Sequence, residues 1–290
     1  MKKITGFLII LMISIVLLSG CNTNQTSTGE TKVKLGVSSI DGPVWQMLQE
    51  KSKEEGIDLE IVELSDWQLP NDALSNGEID MNAFQHIAFL SQYNIQKNKK
   101  LTPIGARSIV PKGLYSEKYS DVSEIPDGAE VAIANDAANM GLDLLLLQEV
   151  GLIQLDEKAG LFATPDDIIE NPKNLQIETI NPQQTARILS DVDLTAIYTS
   201  TAYKAGIDQE QALYVDDPLD HDGYPYVGVF VVRAEDTENE TYQKVAKLIQ
   251  DSEIKEALRK DTNGLDEIIE IPVEDLQSTL DQLMGEGDVK

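Results

Sequence analysis

Two hydrophobic periods take turns along this chain. "VKLGVSS" (33–39) is a short apolar run that predicts a strand, and "GPVWQMLQEKSKEEG" (42–56) changes to helical spacing. There Pro43 sits at the first turn, Val44, Met47 and Leu48 share a face, and Gly56 is a stop. "IDLEIVEL" (57–64) returns to period two, with Ile57, Leu59 and Ile61 set against Asp58 and Glu60. The middle repeats the grammar. "AEVAIAND" (129–136) is a strand running into the helix "AANMGLDLLLLQEVG" (137–151), and "LQIETI" (175–180) runs into "NPQQTARIL" (181–189). In the latter Asn181 is placed to cap a helix, Pro182 to open it and Gln184 to reach back. "LTAIYTS" (194–200) and "YVGVFVVR" (226–233) have the apolar density of buried strands, and the chain from Asn239 onward is mostly helical in pattern. Alternation of this kind predicts an α/β protein whose sheets are covered by helices.

The first thirty residues obey neither period. Lys2 and Lys3 lead into "ITGFLIILMISIVLLSG" (4–20), an apolar run that ends at Cys21, the single cysteine of 290 residues. A cationic start followed by such a run is an export signal, and it is short beside the roughly 20 apolar residues of a membrane span. The ending Leu18-Ser19-Gly20-Cys21 is similar to a bacterial lipobox, which implies cleavage before Cys21 and acylation of its thiol. A plain secretory signal with Cys21 as a chance thiol is the competing reading. Residues 1–20 are accordingly expected to be a lipoprotein signal peptide and 21–30 a polar, flexible tether. One cysteine forms no internal disulfide, so the exported part depends on its core.

Composition narrows the function classes. Fifty Asp and Glu face 23 Lys and Arg, for a formal charge of −27, and the acidic residues are spread along the chain. This repels nucleic acid and argues against DNA or RNA as a partner. Hydrophobic residues at 41% supply an ample core. In α/β folds ligands sit beyond the carboxyl ends of strands, where loops meet helix N-termini. That rule nominates 38–41, 65–71, 82–86, 135–139 and 198–201. None of these has the Gly-rich spacing of a nucleotide loop, and no G-x-S-x-G or H-E-x-x-H occurs. The histidines are His86 and His221 alone, so a metal site is poorly supplied. "DPLDHDG" (217–223) groups Asp220, His221 and Asp222, which reads better as a solvated acidic turn than as a cation site. No cofactor and no catalytic set are expected. If the protein were an enzyme, Ser200 and His86 are the one pair to nominate.

Several stretches resemble the NlpA/MetQ family of lipoproteins, the substrate-binding components of methionine-type ABC importers. They are "LSDWQLPNDALSNGEIDMNAFQHIAFL" (64–90), "IVPKGLYSEKY" (109–119), "PDGAEVAIANDAANMGLDLLLLQEVGLIQL" (126–155), "DDIIENPKNLQIE" (166–178) and "YVGVFVVR" (226–233). The similarity runs over about residues 31 to 275. It implies a two-lobed, periplasmic-binding-protein-like fold of type II, with a ligand cleft between the lobes. The first lobe is expected from 31–108 with 226–290, and the second from 109–225. It also implies a small-molecule ligand, an amino acid such as methionine, an ABC permease with a cytoplasmic ATPase as partner, and a lipid anchor on the outer side of the bacterial cell membrane.

Carried over by residue, the resemblance implies ligand contacts at Trp67, Phe84 and His86, with Asn139, Tyr198 and Ser200 alongside. Two places depart from the family. Its "NDPTNEGR" supplies an arginine for the ligand carboxylate, whereas "NDAANMGL" here has Leu142 in that place; its "NGNYA" becomes "YTSTA", with Tyr198, Ser200 and Thr201. Leucine cannot offset the desolvation of a carboxylate. Either another group replaces the arginine, with Arg107 and Lys112 as candidates beside the first crossing, or the ligand has that carboxylate masked. The aromatic half of the pocket, Trp67 and Phe84, suits an apolar or sulfur-bearing side chain. An extracytoplasmic enzyme and a surface protein that merely keeps the fold are the alternatives to a transport role.

Overall fold

A computed structural model describes residues 30–287 except Asp222. The signal and Cys21, and all of the tether but Glu30, lie outside the described residues. The rest forms two five-stranded sheets.

In the first sheet β1 (Thr31–Val37) lies parallel to β2 (Ile57–Glu63), pairing from Thr31 with Ile57 to Val37 with Glu63, and parallel also to β3 (Met81–Asn82). Beyond β3 comes β12 (Val229–Arg233), antiparallel to β3 and to β4 (Leu101–Ala106), so the order is β2-β1-β3-β12-β4. The second sheet has the order β11-β5-β10-β6-β9. Its strands are β11 (Ala212–Val215), β5 (Lys112–Tyr115), β10 (Leu194–Tyr198), β6 (Glu130–Ala134) and β9 (Gln176–Ile180). Here β6 is parallel to β10 and β9, while β5 is antiparallel to β10 and β11. A short antiparallel pair, β7 (Gln154–Leu155) with β8 (Ile168–Glu170), stands apart.

Eight α-helices cover these sheets among the described residues: α1 (Val44–Glu54), α2 (Leu69–Ser75), α3 (Ile87–Lys97), α4 (Ala137–Glu149), α5 (Thr199–Lys204), α6 (Glu240–Leu248), α7 (Ser252–Asp261) and α8 (Val273–Gly287). Side chains cap the free N–H groups at helix starts: His86 for α3, Asp136 for α4, Asn239 for α6 and Asp251 for α7. Gly141 in α4 is required by packing. A Cβ there would stand 2.0 Å from the Leu161 carbonyl oxygen, so the segment 160–163 can lie against this helix only if residue 141 lacks a side chain.

Two expectations are corrected. The face that α1 buries is centred on Trp45, Leu48 and Ser52, not on Val44 and Met47. "NPQQTARIL" does not become a helix: Pro182–Gln184 is one turn of 3₁₀ helix, capped by Asn181 accepting from the Gln183 N–H, and Gln184 makes no return bond to it. A nine-residue segment without extensive apolar burial gains too little from packing to offset helix nucleation.

One large hydrophobic cluster runs through both sheets. It joins Leu74, Ile87 and Val229 on the first side to Leu114, Val131 and Leu144 on the second. Helix α3 packs on α4 and α8 within it. A second cluster, with Leu35, Leu48, Met81, Phe230 and Ile249, fills the other face of the first sheet. Three stretches meet where the chain passes between sheets. The Arg107 N–H donates to the Gly228 carbonyl, the Gly228 N–H donates to the Ser108 carbonyl, and Ile109 exchanges two backbone hydrogen bonds with Glu267. No helix among the described residues is long and apolar enough to cross a membrane.

Candidate functional site

A cavity of about 300 Å³ opens over these crossing stretches, and residues from both sheets line it. Strand ends of the first sheet contribute Ser38 and Ser39 after β1, Trp67 after β2, and Phe84 and His86 after β3. From the second sheet come Asn139 at the start of α4, Tyr198 at the end of β10, and Ser200 and Thr201 in α5. Arg107 reaches in from the first crossing. The structure therefore gathers Trp67, Phe84, His86, Arg107, Asn139, Tyr198 and Ser200 around one space.

The alternation in "NAFQH" explains its wall. Asn82 and Gln85 turn inward to a buried amide cluster with Asn71. In it Asn71 and Gln85 pair reciprocally at 2.7 and 2.6 Å, and Asn82 donates to Asn71 at 2.9 Å. Phe84 and His86 are left to face the cavity. Phe84 meets Phe89 edge-on at 5.8 Å, and the His86 ring packs edge-on against Tyr226 at 5.5 Å.

His86 has a fixed tautomer. Its Nδ1 accepts the Phe89 N–H at 3.2 Å, so the ring proton is on Nε2, which is buried, with Asn139 and the Pro225 backbone as its polar neighbours. Burial pushes its pKa down to about 4, with Lys112 adding to the fall and Asp136 opposing it. The imidazole is neutral at pH 7 and offers a donor. No hydrogen bond joins it to Ser200, so the nominated pair is not assembled for nucleophilic chemistry.

On the opposite wall the polar groups are largely committed. The Tyr198 hydroxyl donates to Asn139 Oδ1 at 2.7 Å, and Asn139 Nδ2 donates to both Asp136 carboxylate oxygens at 3.0 Å. Burial raises the Tyr198 phenol pKa further still, so it stays protonated. Asn139 thus positions Tyr198 as well as lining the space.

Lys112 does not line the cavity. It is buried beneath the Tyr198 ring, 4.8 Å from the centroid, and forms an ion pair with the buried Asp143, whose other oxygen accepts the Ala134 N–H at 2.8 Å. Of the two candidates to replace the arginine, Arg107 lines the cavity and Lys112 does not. His221 packs on Tyr226 with centroids 4.7 Å apart; Asp222 lies outside the described residues.

Among the lining residues that sequence reasoning missed are Trp45, Phe89, Tyr226 and Asp266. Trp45 was concealed by a helical face drawn one residue off, although its Nε1 donates to the Ser39 carbonyl at 2.9 Å. Phe89 lies three residues after His86 on a helix, a spacing that signals the same side. Asp266 had no signal, being one of 50 acidic residues.

The NlpA lipoprotein family model matches residues 33–269. This chain belongs to the NlpA lipoprotein family. It is 37% identical over 257 residues to the D-methionine-binding lipoprotein MetQ of Salmonella typhimurium, covering 87% of this chain and 93% of that protein. Among solved structures it is similar to protein PG110 of Staphylococcus aureus, with a TM-score of 0.80 and 38% identity over 87% of this chain and 99% of the other. It is also similar to the substrate binding protein of a methionine transporter from Streptococcus pneumoniae, with a TM-score of 0.76 and 33% identity over 82% and 95%. The two-lobed α/β fold with a cleft between the lobes is that of these substrate-binding neighbours.

Position 142 is where the family resemblance implies an arginine and this chain has a leucine. Leu142 is 1% exposed inside α4, among the core of the large cluster, and does not reach the cavity.

Proposed function

We propose that this protein is the solute-binding component of an ABC importer, capturing a small amino acid such as methionine or a related compound and delivering it to a membrane permease driven by a cytoplasmic ATPase. The observation that carries the reading is the cavity between the sheets, with Trp45, Trp67, Phe84 and Phe89 on one side and hydroxyl, amide and charged groups on the other. Such lining fits a small ligand with one apolar or sulfur-bearing end and one polar end. The relatives named for methionine binding support that ligand class. No covalent step is part of this function: ligand binding stabilises the closed arrangement of the lobes, which a permease then selects.

The lobes in this reading are 31–108 with 226–290, and 109–225. Sheet membership supports the division, since β12 pairs into the first sheet while β5 to β11 build the second and the small pair. Anchoring by acylated Cys21, outside the membrane, completes the reading. Membrane attachment retained by Cys21→Ala would reject the anchor.

Thermal unfolding of ligand-stripped protein against amino acids, dipeptides and sulfur compounds tests the transport role. L-methionine or a close analogue is expected to raise the midpoint, because a ligand that prefers the folded state stabilises it. A flat response to the whole panel would sink the reading and leave a surface protein that keeps only the fold.

A further inference from the structure

The cavity's charged groups sort into two sets. Lys204 and Asp261 satisfy each other at 3.0 Å, and Asp41 is held by the Ser39 hydroxyl at 3.0 Å. Arg107 and Asp266 remain. The Arg107 guanidinium donates from one nitrogen to the Ala83 carbonyl at 3.3 Å, while its Nε is buried without a partner. Asp266 has a buried Oδ1 in the same condition. The two are opposite in charge, and no ion pair joins them directly.

Their placement follows from the crossings. Ile109 bridges to Glu267, so Arg107 and Asp266 come from adjacent stretches of one cavity floor. Gly228 makes room for the guanidinium: a Cβ there would lie 3.3 Å from Arg107 Nε and 3.0 Å from the Ser108 carbonyl oxygen. Burial lowers the Arg107 pKa, with Asp266 opposing; burial raises that of Asp266, offset by the Ser200 hydroxyl and by Arg107.

We propose that Arg107 and Asp266 form the head-group clamp of this cavity, Arg107 taking the carboxylate and Asp266 the ammonium of a free amino acid whose side chain lies toward Trp67 and Phe84. A half-buried cation and a half-buried anion that line one cavity without pairing with each other match a zwitterion and mismatch a ligand with either end masked. A masked ligand would expel water from both groups and return only one partner. The clamp also accounts for Leu142: with the cation supplied from the crossing, position 142 is free to serve the core. Because the clamp sits on the stretches that join the lobes, the ligand's charged end touches the hinge rather than the helix ends above it.

This inference rests on the solute-binding reading, and calorimetry of the stripped, detergent-solubilised full-length protein separates the two. The probes are L-methionine, L-methioninamide and N-acetyl-L-methionine. L-methionine is expected to bind, and each masked derivative to bind about 30-fold more weakly or worse, the loss of one hydrogen-bonded charge. Arg107→Gln should abolish the preference for the acid over the amide, and Asp266→Asn the preference for the free over the acetylated amine. Equal binding of either masked derivative and L-methionine by the unaltered protein overturns the clamp while leaving the solute-binding role intact. Failure of all three to bind overturns the methionine reading itself, and the clamp with it.

Discussion

Trp67 sits in a turn between β2 and α2, half-buried at the cavity wall, and Leu142 is enclosed in the core, so the two respond differently to substitution. Trp67→Ala should weaken ligand binding by more than about tenfold while the thermal midpoint without ligand moves by no more than about 4 °C. Unchanged affinity in calorimetry would place the indole outside the pocket. Leu142→Arg restores the residue type that the family resemblance implies, yet it puts a cation where no partner awaits it. The expected result is a destabilisation of about 3 kcal/mol or more by denaturant titration, with no gain in affinity. A stable variant with tighter methionine binding would show that residue 142 reaches the cavity. The sequence made the aromatic positions legible because "NAFQH" alternates after a strand, so Phe84 and His86 fall on one side. It hid Asp266, since nothing local distinguishes one carboxylate from 49 others.

Between elements, the Lys112–Asp143 pair fastens β5 to α4 directly beneath Tyr198. Removing one charge strands the other in the core. Lys112→Met should cost about 3 to 5 kcal/mol, and Lys112→Met with Asp143→Leu should recover most of it. Denaturant midpoints of the single and double variants decide this; additive losses would mean that the pair does not act as a unit. His86 links β3 to α3 and gives acid sensitivity. Its pKa is depressed to about 4 in the folded protein from 6.5, so its contribution is fully present above pH 6.5 and is lost as pH falls through about 4. The loss is on the order of 3 kcal/mol. Asp216 has the opposite sign: burial raises its pKa to about 6, so its contribution is present below 3.8 and is lost as pH rises through about 6. The difference in stability between the unaltered protein and His86→Gln, followed from pH 7 to pH 4, isolates the histidine; a constant difference would contradict the burial argument. At this scale the strands and long helices were legible because their periods are clean. The 181–189 segment was not, because proline and a capping asparagine begin a turn as readily as a helix, and tertiary burial alone decides.

For the whole molecule, the parallel strands of each sheet deliver short polar loops to a common cavity, which is why residues from 38 to 268 meet there. The mutual placement of the two sheets was legible only through the family resemblance, since no local pattern announces that β12 returns to the first sheet after the second is complete. Polar contacts between segments that the proposed division places in different lobes include Lys204 with Asp261 at 3.0 Å and Gln183 donating to the Ser65 carbonyl at 2.7 Å. Contacts of this kind form and break as lobes close and open around a ligand. The central claim is that the closed cleft holds one small amino acid, and native mass spectrometry of the protein as purified tests it most directly. The account predicts a one-to-one complex whose collisional release yields an apolar or sulfur-containing amino acid, and restoration of that complex when L-methionine is added to stripped protein. A spectrum of ligand-free protein that stays ligand-free after L-methionine is added would contradict it.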